Sequence, residues 1–112
     1  MSNIDWEDFK KIEIRTGTIV EAFDFPEAIK PAYQLKIDLG EKIGVKQSSA
    51  QITNLYSKQD LVGKQVMVVT NLSPKKIGPF TSECLVTGFY LSKESVVLAT
   101  SDQKVPNGLL LV

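Results

Sequence analysis

Tyr33, Leu35, Ile37 and Leu39 alternate without interruption with Gln34, Lys36 and Asp38. A period of two puts the apolar set on one face of a strand and the polar set on the other, as in a sheet packed on one side and wet on the other. Ile12 and Ile14 set against Glu13 and Arg15 begin a second such pattern, which continues past Gly17 into Ile19-Val20. A glycine inside a strand reads as a bulge or sharp bend, and such a kink lets one long strand serve both sides of a small barrel. Gln65 to Thr70, residues 83–91 and residues 95–100 supply further strands, with a final extended piece at Leu109–Val112.

Turn signals separate these runs. Pro26 and Pro31 bracket a loop, and Gly40-Glu41-Lys42 is a tight turn into a strand over residues 42–48. Residues 53–62 are expected to hold a helical turn or two, and residues 71–79 to form a loop. Several short strands, one helical element between them and no βαβ spacing point to an all-β, closed or nearly closed barrel. At 112 residues the chain is long enough for one core, so residues 1–112 are expected to form a single domain. Its parts are a helix within residues 1–11, a barrel over 12–100 and a C-terminal extension over 101–112.

At the N-terminus, Asp5 is placed as a helix N-cap ahead of Trp6-Glu7-Asp8-Phe9, with Ile4 and Phe9 spaced as a hydrophobic staple. A helix of two turns does not hold alone. Trp6 and Phe9 must therefore pack on the barrel or on a second copy of the chain.

Composition removes most chemistries. There is no histidine and one cysteine, so the commonest general base, the commonest metal ligand and zinc-site spacing are all missing. Asp5, Glu7 and Asp8 sit at helix-capping positions rather than in a catalytic constellation, and no GxxxxGK loop is present. No catalytic residue, metal or cofactor is expected. The opening residues lack a basic start with an apolar stretch behind it, and no apolar run approaches the roughly 18–20 residues that span a bilayer. The expectation is a soluble, cytoplasmic protein without membrane insertion. Cys84, in the run Cys84-Leu85-Val86, reads as a buried structural thiol. The net charge of zero conceals an asymmetry: residues 1–28 carry seven acids and three bases, residues 29–112 six acids and ten bases.

Five segments in order carry a family likeness. Glu13-Ile14-Arg15-Thr16-Gly17-Thr18-Ile19 resembles the opening strand of the tRNA-binding-domain family, and Ile37-Asp38-Leu39-Gly40-Glu41 its second-strand ending. Leu61 to Val66, Asn71 to Lys76 and Ser82-Glu83 follow in the expected sequence. Lys46 to Thr53 and Val105-Pro106-Asn107-Gly108 are closer to the stand-alone, export-related chaperone branch of that family than to domains appended to synthetases. The resemblance implies an OB-fold, a five-stranded Greek-key barrel, assembled as a homodimer through the N-terminal helix and the C-terminal segment. It also implies a chaperone handling precursor polypeptides alongside the export ATPase SecA, with tRNA as the alternative ligand.

Two sets of residues are candidates for contact. Arg15, Lys36, Lys46, Lys75 and Lys76 are placed to neutralise phosphates, and Gln47, Ser48 and Ser82 to supply hydrogen bonds. The same lysines read equally as solvated charges, and the Ser/Gln run equally as groups satisfying the barrel's own rim. For a polypeptide ligand the candidates are Phe23, Phe25 and Phe80 at loop edges. Their alternative is to plug the barrel end.

Overall fold

The computed structural model describes residues 2–112. The long strand read from Ile14 onward is β1 (Ile14–Asp24), and it organises the whole fold. Its first half pairs antiparallel with β4 (Gln65–Val69), and its second half with β2 (Tyr33–Asp38). One strand thereby belongs to both walls of a barrel. The bulge that allows this lies between Ile19 and Glu21, three residues later than Gly17. Gly17 itself pairs regularly with Val66. It is needed for a different reason: a Cβ there would stand 2.6 Å from Ile37 Cγ2 and 2.8 Å from Leu39 Cδ2. The glycine lets Ile37 of β2 and Leu39 just beyond it pack against the backbone of β1.

Beyond β2 comes the Gly40–Gly44 turn, in which Gly44 N–H donates to Gly40 O at 2.7 Å and both glycines take positive φ. The next strand, β3 (Val45–Ala50), therefore starts three residues later than the sequence suggests. A one-turn helix, α2 (Lys58–Leu61), follows, fixed by a capping box between Ser57 and Asp60. Residues 75–82, expected partly as loop, form a small hairpin of β5 (Lys75–Ile77) and β6 (Phe80–Ser82). The last strands are β7 (Leu85–Val86), β8 (Gly88–Ser92) and β9 (Ser95–Leu98).

The main sheet runs β3-β2-β1-β4-β7, all antiparallel, and β7 returns against β3. This is the all-β, nearly closed Greek-key barrel of the OB-fold. Its interior holds Ile19, Leu35, Ile37, Leu39, Leu61, Val66 and Val68, each almost fully buried. The alternation in β2 is the alternation of this core. Cys84 is buried in the same cluster, and burial, reinforced by the nearby Glu83 carboxylate, pushes its thiol up to about 11.

The N-terminal helix leads into β1, and the C-terminal segment is laid against it. Asp5 Oδ1 accepts from Asp8 N–H at 2.9 Å, capping α1 (Trp6–Lys10) as expected. The ring that meets Phe9 is Trp6, at 5.4 Å between centroids. Asn71 holds the helix exit by donating to Lys11 O and accepting from Glu13 N–H. At the other end, Gly108 N–H donates to Thr16 O, Thr16 N–H to Leu109 O and Leu111 N–H to Ile14 O. The C-terminal segment thus occupies the stretch of β1 edge that β2 leaves free.

Candidate binding surface

Polar residues on the outer face of β1, β2 and β3 fall into rows set by register. Glu21, Lys36 and Gln47 form one row, and Phe23, Gln34 and Ser49 the next. Lys36 and Phe23 are exposed, so the two share one outer face. Lys46 has the parity of buried Ser48 and Ala50, which directs it toward the barrel end near Cys84, whose thiolate it favours electrostatically.

Where β3 meets β6 and β7, side chains replace most of a backbone ladder. Glu83 N–H donates to Gln47 O at 2.8 Å, and Glu83 Oε1 accepts from Gln47 N–H at 3.1 Å. Gln47 Nε2 donates to Thr81 O at 2.8 Å, and Ser49 N–H donates to Ser82 Oγ at 3.1 Å. Ser82 Oγ in turn donates to Cys84 O. Ser48 has no exposed surface, and its hydroxyl donates to Ser49 O. Gln47 and Ser82 therefore close the barrel, and Ser48 lies out of reach of a ligand. An unpaired backbone amide in this seam would be costly, which is the reason for polar side chains of this length here.

Arg15 also differs from expectation. Its Nη1 donates to Gly108 O at 2.9 Å and its Nη2 lies 3.0 Å from Glu13 Oε1. The guanidinium ties the C-terminal segment to β1. Lys75 and Lys76 are exposed, opposite Ser82 and Thr81 respectively, and form the free basic edge of that hairpin.

Of the three phenylalanines, only Phe23 is exposed. Phe25 and Phe80 are 4% and 8% exposed and meet in a tilted contact at 5.3 Å between centroids, with Ala32 completing a second small core. Each loop supplies one ring, so the β1–β2 loop and the β5–β6 hairpin are held together. The expectation that Phe25 and Phe80 offer an open apolar surface fails because each covers the other.

Exposed apolar surface lies elsewhere. Phe89, Tyr90 and Leu91 all point away from the core, and Ile29 in the β1–β2 loop is fully exposed. Beside Tyr90 a cleft of about 410 Å3 is lined by Lys30, Gln51, Asn54, Lys93 and Val96. In sequence, Gly88-Phe89-Tyr90-Leu91 looks like a buried strand. The run lacks the alternation of a half-wet strand, so nothing local reveals its exposure. A second exposed set comprises Ile4, Trp6, Ile12 and Leu109 to Val112. Among the described residues no three His, Cys, Asp or Glu side chains gather as a metal site would require, and no helix is long and apolar enough to cross a membrane.

An OB barrel whose exposed features are a polar sheet face, a basic hairpin and apolar strips belongs to the binding domains built on this fold. More narrowly, the chain belongs to the tRNA-binding domain family: the model described as "Putative tRNA binding domain" matches residues 14–109. It is similar to the crystal structure of the CsaA chaperone protein from Picrophilus torridus, with 49% identity and a TM-score of 0.90 over 98% of this chain and 100% of that one. The chaperone CsaA of Bacillus anthracis gives 41% identity and a TM-score of 0.94 over 99% of this chain and 100% of that one. Among curated sequences, the methionine–tRNA ligase of Thermococcus onnurineus is 37% identical over 108 residues, 94% of this chain. The chain spans only 14% of that ligase.

Proposed function

We propose that this chain is a non-catalytic chaperone of the CsaA type, binding precursor polypeptides in the cytoplasm for export alongside SecA. The observation that carries the reading is the likeness, at 41% and 49% identity over essentially the full length, to two CsaA chaperone structures. The distribution of apolar surface supports it. Exposed hydrophobic side chains suit the capture of unfolded segments without strict sequence demands. The strip formed by Ile4, Trp6, Ile12 and Leu109–Val112 suits burial against a second copy, since α1 buries none of its own residues in the chain. A homodimer through this strip forms part of the proposal.

A direct test is suppression of aggregation. A chemically unfolded precursor diluted into this protein should stay soluble without nucleotide, and SecA should be retained on the loaded complex. Unchanged aggregation at stoichiometric excess would overturn the reading. Sedimentation should give twice the 12.4 kDa chain mass, and Trp6→Glu should shift it toward the monomer.

The second reading is recognition of structured RNA, favoured by the family match and by exposed Lys36, Lys75 and Lys76. Lysine keeps the charge that phosphate needs but lacks the planar fork of arginine. If RNA is the ligand, tRNA affinity should fall steeply as salt rises. The absence of tRNA binding at low salt would remove it.

A further inference from the structure

Strand β8 is an open sheet edge. All five of its residues are exposed, and β9 covers one side only. Among the described residues, no backbone group of Phe89, Tyr90 or Leu91 bonds to anything outside the hairpin. Natural edges are commonly blunted with lysine or proline to prevent strand addition. Gly88-Phe89-Tyr90-Leu91-Ser92 contains neither, and its one irregularity is the register shift between Tyr90 and Ser92.

The two faces of this edge differ. Tyr90 and Val96 pair across the hairpin and both line the cleft that Lys30 and Lys93 flank, with Glu94 the single acid against those two lysines. Phe89 and Val97 pair on the opposite face and are both exposed. A ligand lying along β8 therefore meets an apolar face on one side and an aromatic, net-positive cleft on the other. A strand whose side chains alternate between apolar and acidic matches both. Free backbone donors and acceptors at strand spacing are complemented by a polypeptide backbone and not by a sugar-phosphate chain.

Building on the chaperone reading, we propose that the β8 edge takes up an extended polypeptide segment as an added strand. Its apolar side chains pack on Phe89, with Val97 of β9 extending the same face behind it, and its acidic side chains enter the cleft beside Tyr90, Lys30 and Lys93. Backbone hydrogen bonding supplies affinity with little demand on sequence, and the cleft supplies the preference for acidic side chains.

The probe is a short peptide of alternating valine and glutamate, added to the full chain and followed by amide hydrogen exchange and NMR shifts. The expected result is protection of residues 88–92 together with shifts at Lys30 and Lys93. Phe89→Lys with Leu91→Lys should weaken binding about tenfold, with the melting temperature checked to confirm that the fold is retained. N-methylation of alternate peptide amides should abolish binding in one of the two registers only, and a valine–lysine peptide should bind about tenfold more weakly. Unprotected β8 amides at saturating peptide would overturn strand addition. So would protection that appears with rising protein concentration alone, since the occupant would then be a second copy. Protection by an oligouridine and not by the peptide also counts against it. The aggregation assay separates the two levels: a chain that rescues precursors with β8 untouched keeps the chaperone reading and loses this site. Peptide protection of β8 without rescue keeps the site and loses the chaperone.

Discussion

Two pairs of aromatic residues in this chain meet opposite fates. Phe25, from the β1–β2 loop, and Phe80, from the start of β6, are buried against each other, whereas Phe89 and Tyr90, both from β8, are 68% and 80% exposed. Strand membership is therefore no guide to burial here. What decides is the presence of a second layer. The β1–β2 loop and the β5–β6 hairpin fold over one barrel end and cover each other. The β8–β9 hairpin is rooted at Met67 through bonds involving Thr87 and Ala99; β9 is held to the core by Leu98 and by bonds to Asn54 and Tyr56, whereas all five residues of β8 stay exposed. A region of mutual coverage serves as structure, and a region of one-sided coverage is available for binding.

Substitution at the covered pair should have the largest effect. Phe80→Ala is expected to cost about 3 kcal/mol in urea unfolding, the range for large aromatic truncations in a core. Phe89→Ala should stay within about 0.5 kcal/mol. Equal costs at the two sites would break the comparison. Next comes Gly17→Ala, whose added Cβ meets Ile37 and Leu39 inside the barrel; a loss of about 2 kcal/mol is expected from such overpacking. Ser57→Ala should cost about 1 kcal/mol by removing the cap of α2. The same substitution should raise the Asp60 carboxyl pKa only part of the way to its ordinary value, because the Ser57 backbone N–H, the larger cause of its lowering, remains while the Ser57 hydroxyl is lost.

Cys84 sharpens the contrast by pH. Its folded thiol titrates near 11 against an ordinary value of 9.0, so the folded state holds a proton that the unfolded chain releases. The resulting contribution to stability is complete below pH 9 and declines as pH rises toward 11. Cys84→Ser should flatten that alkaline decline in urea titrations, and native Cys84 should resist alkylation at pH 8 until the chain unfolds. The smallest effect on stability is expected for Lys75→Glu with Lys76→Glu, within about 0.5 kcal/mol. If RNA is bound, the same pair should lower tRNA affinity and reduce the salt slope by about two.

A great deal of the barrel was legible in particular residues. The Tyr33–Leu39 alternation is the core face of β2, Asp5 caps α1, and the ordered motifs from Glu13 to Glu83 lead to the family that the comparisons establish. Candidate contacts were harder to read, and Gln47, Ser48 and Ser82 show why. Serine and glutamine beside strands have the same composition whether they face a ligand or close a seam. Which they do depends on β6 and β7 arriving against β3 from more than thirty residues away. Arg15 likewise meets its main partner, Gly108 O, at a sequence separation of 93.

The sequence by itself determined the strand periodicity and the family, because each is written in residue types and local spacing. Only the tertiary structure decided that Phe25 and Phe80 close over each other while Phe89 and Tyr90 stay open. Burial of an aromatic ring depends on what long-range contacts bring over it, and no local pattern in either segment encodes that second layer.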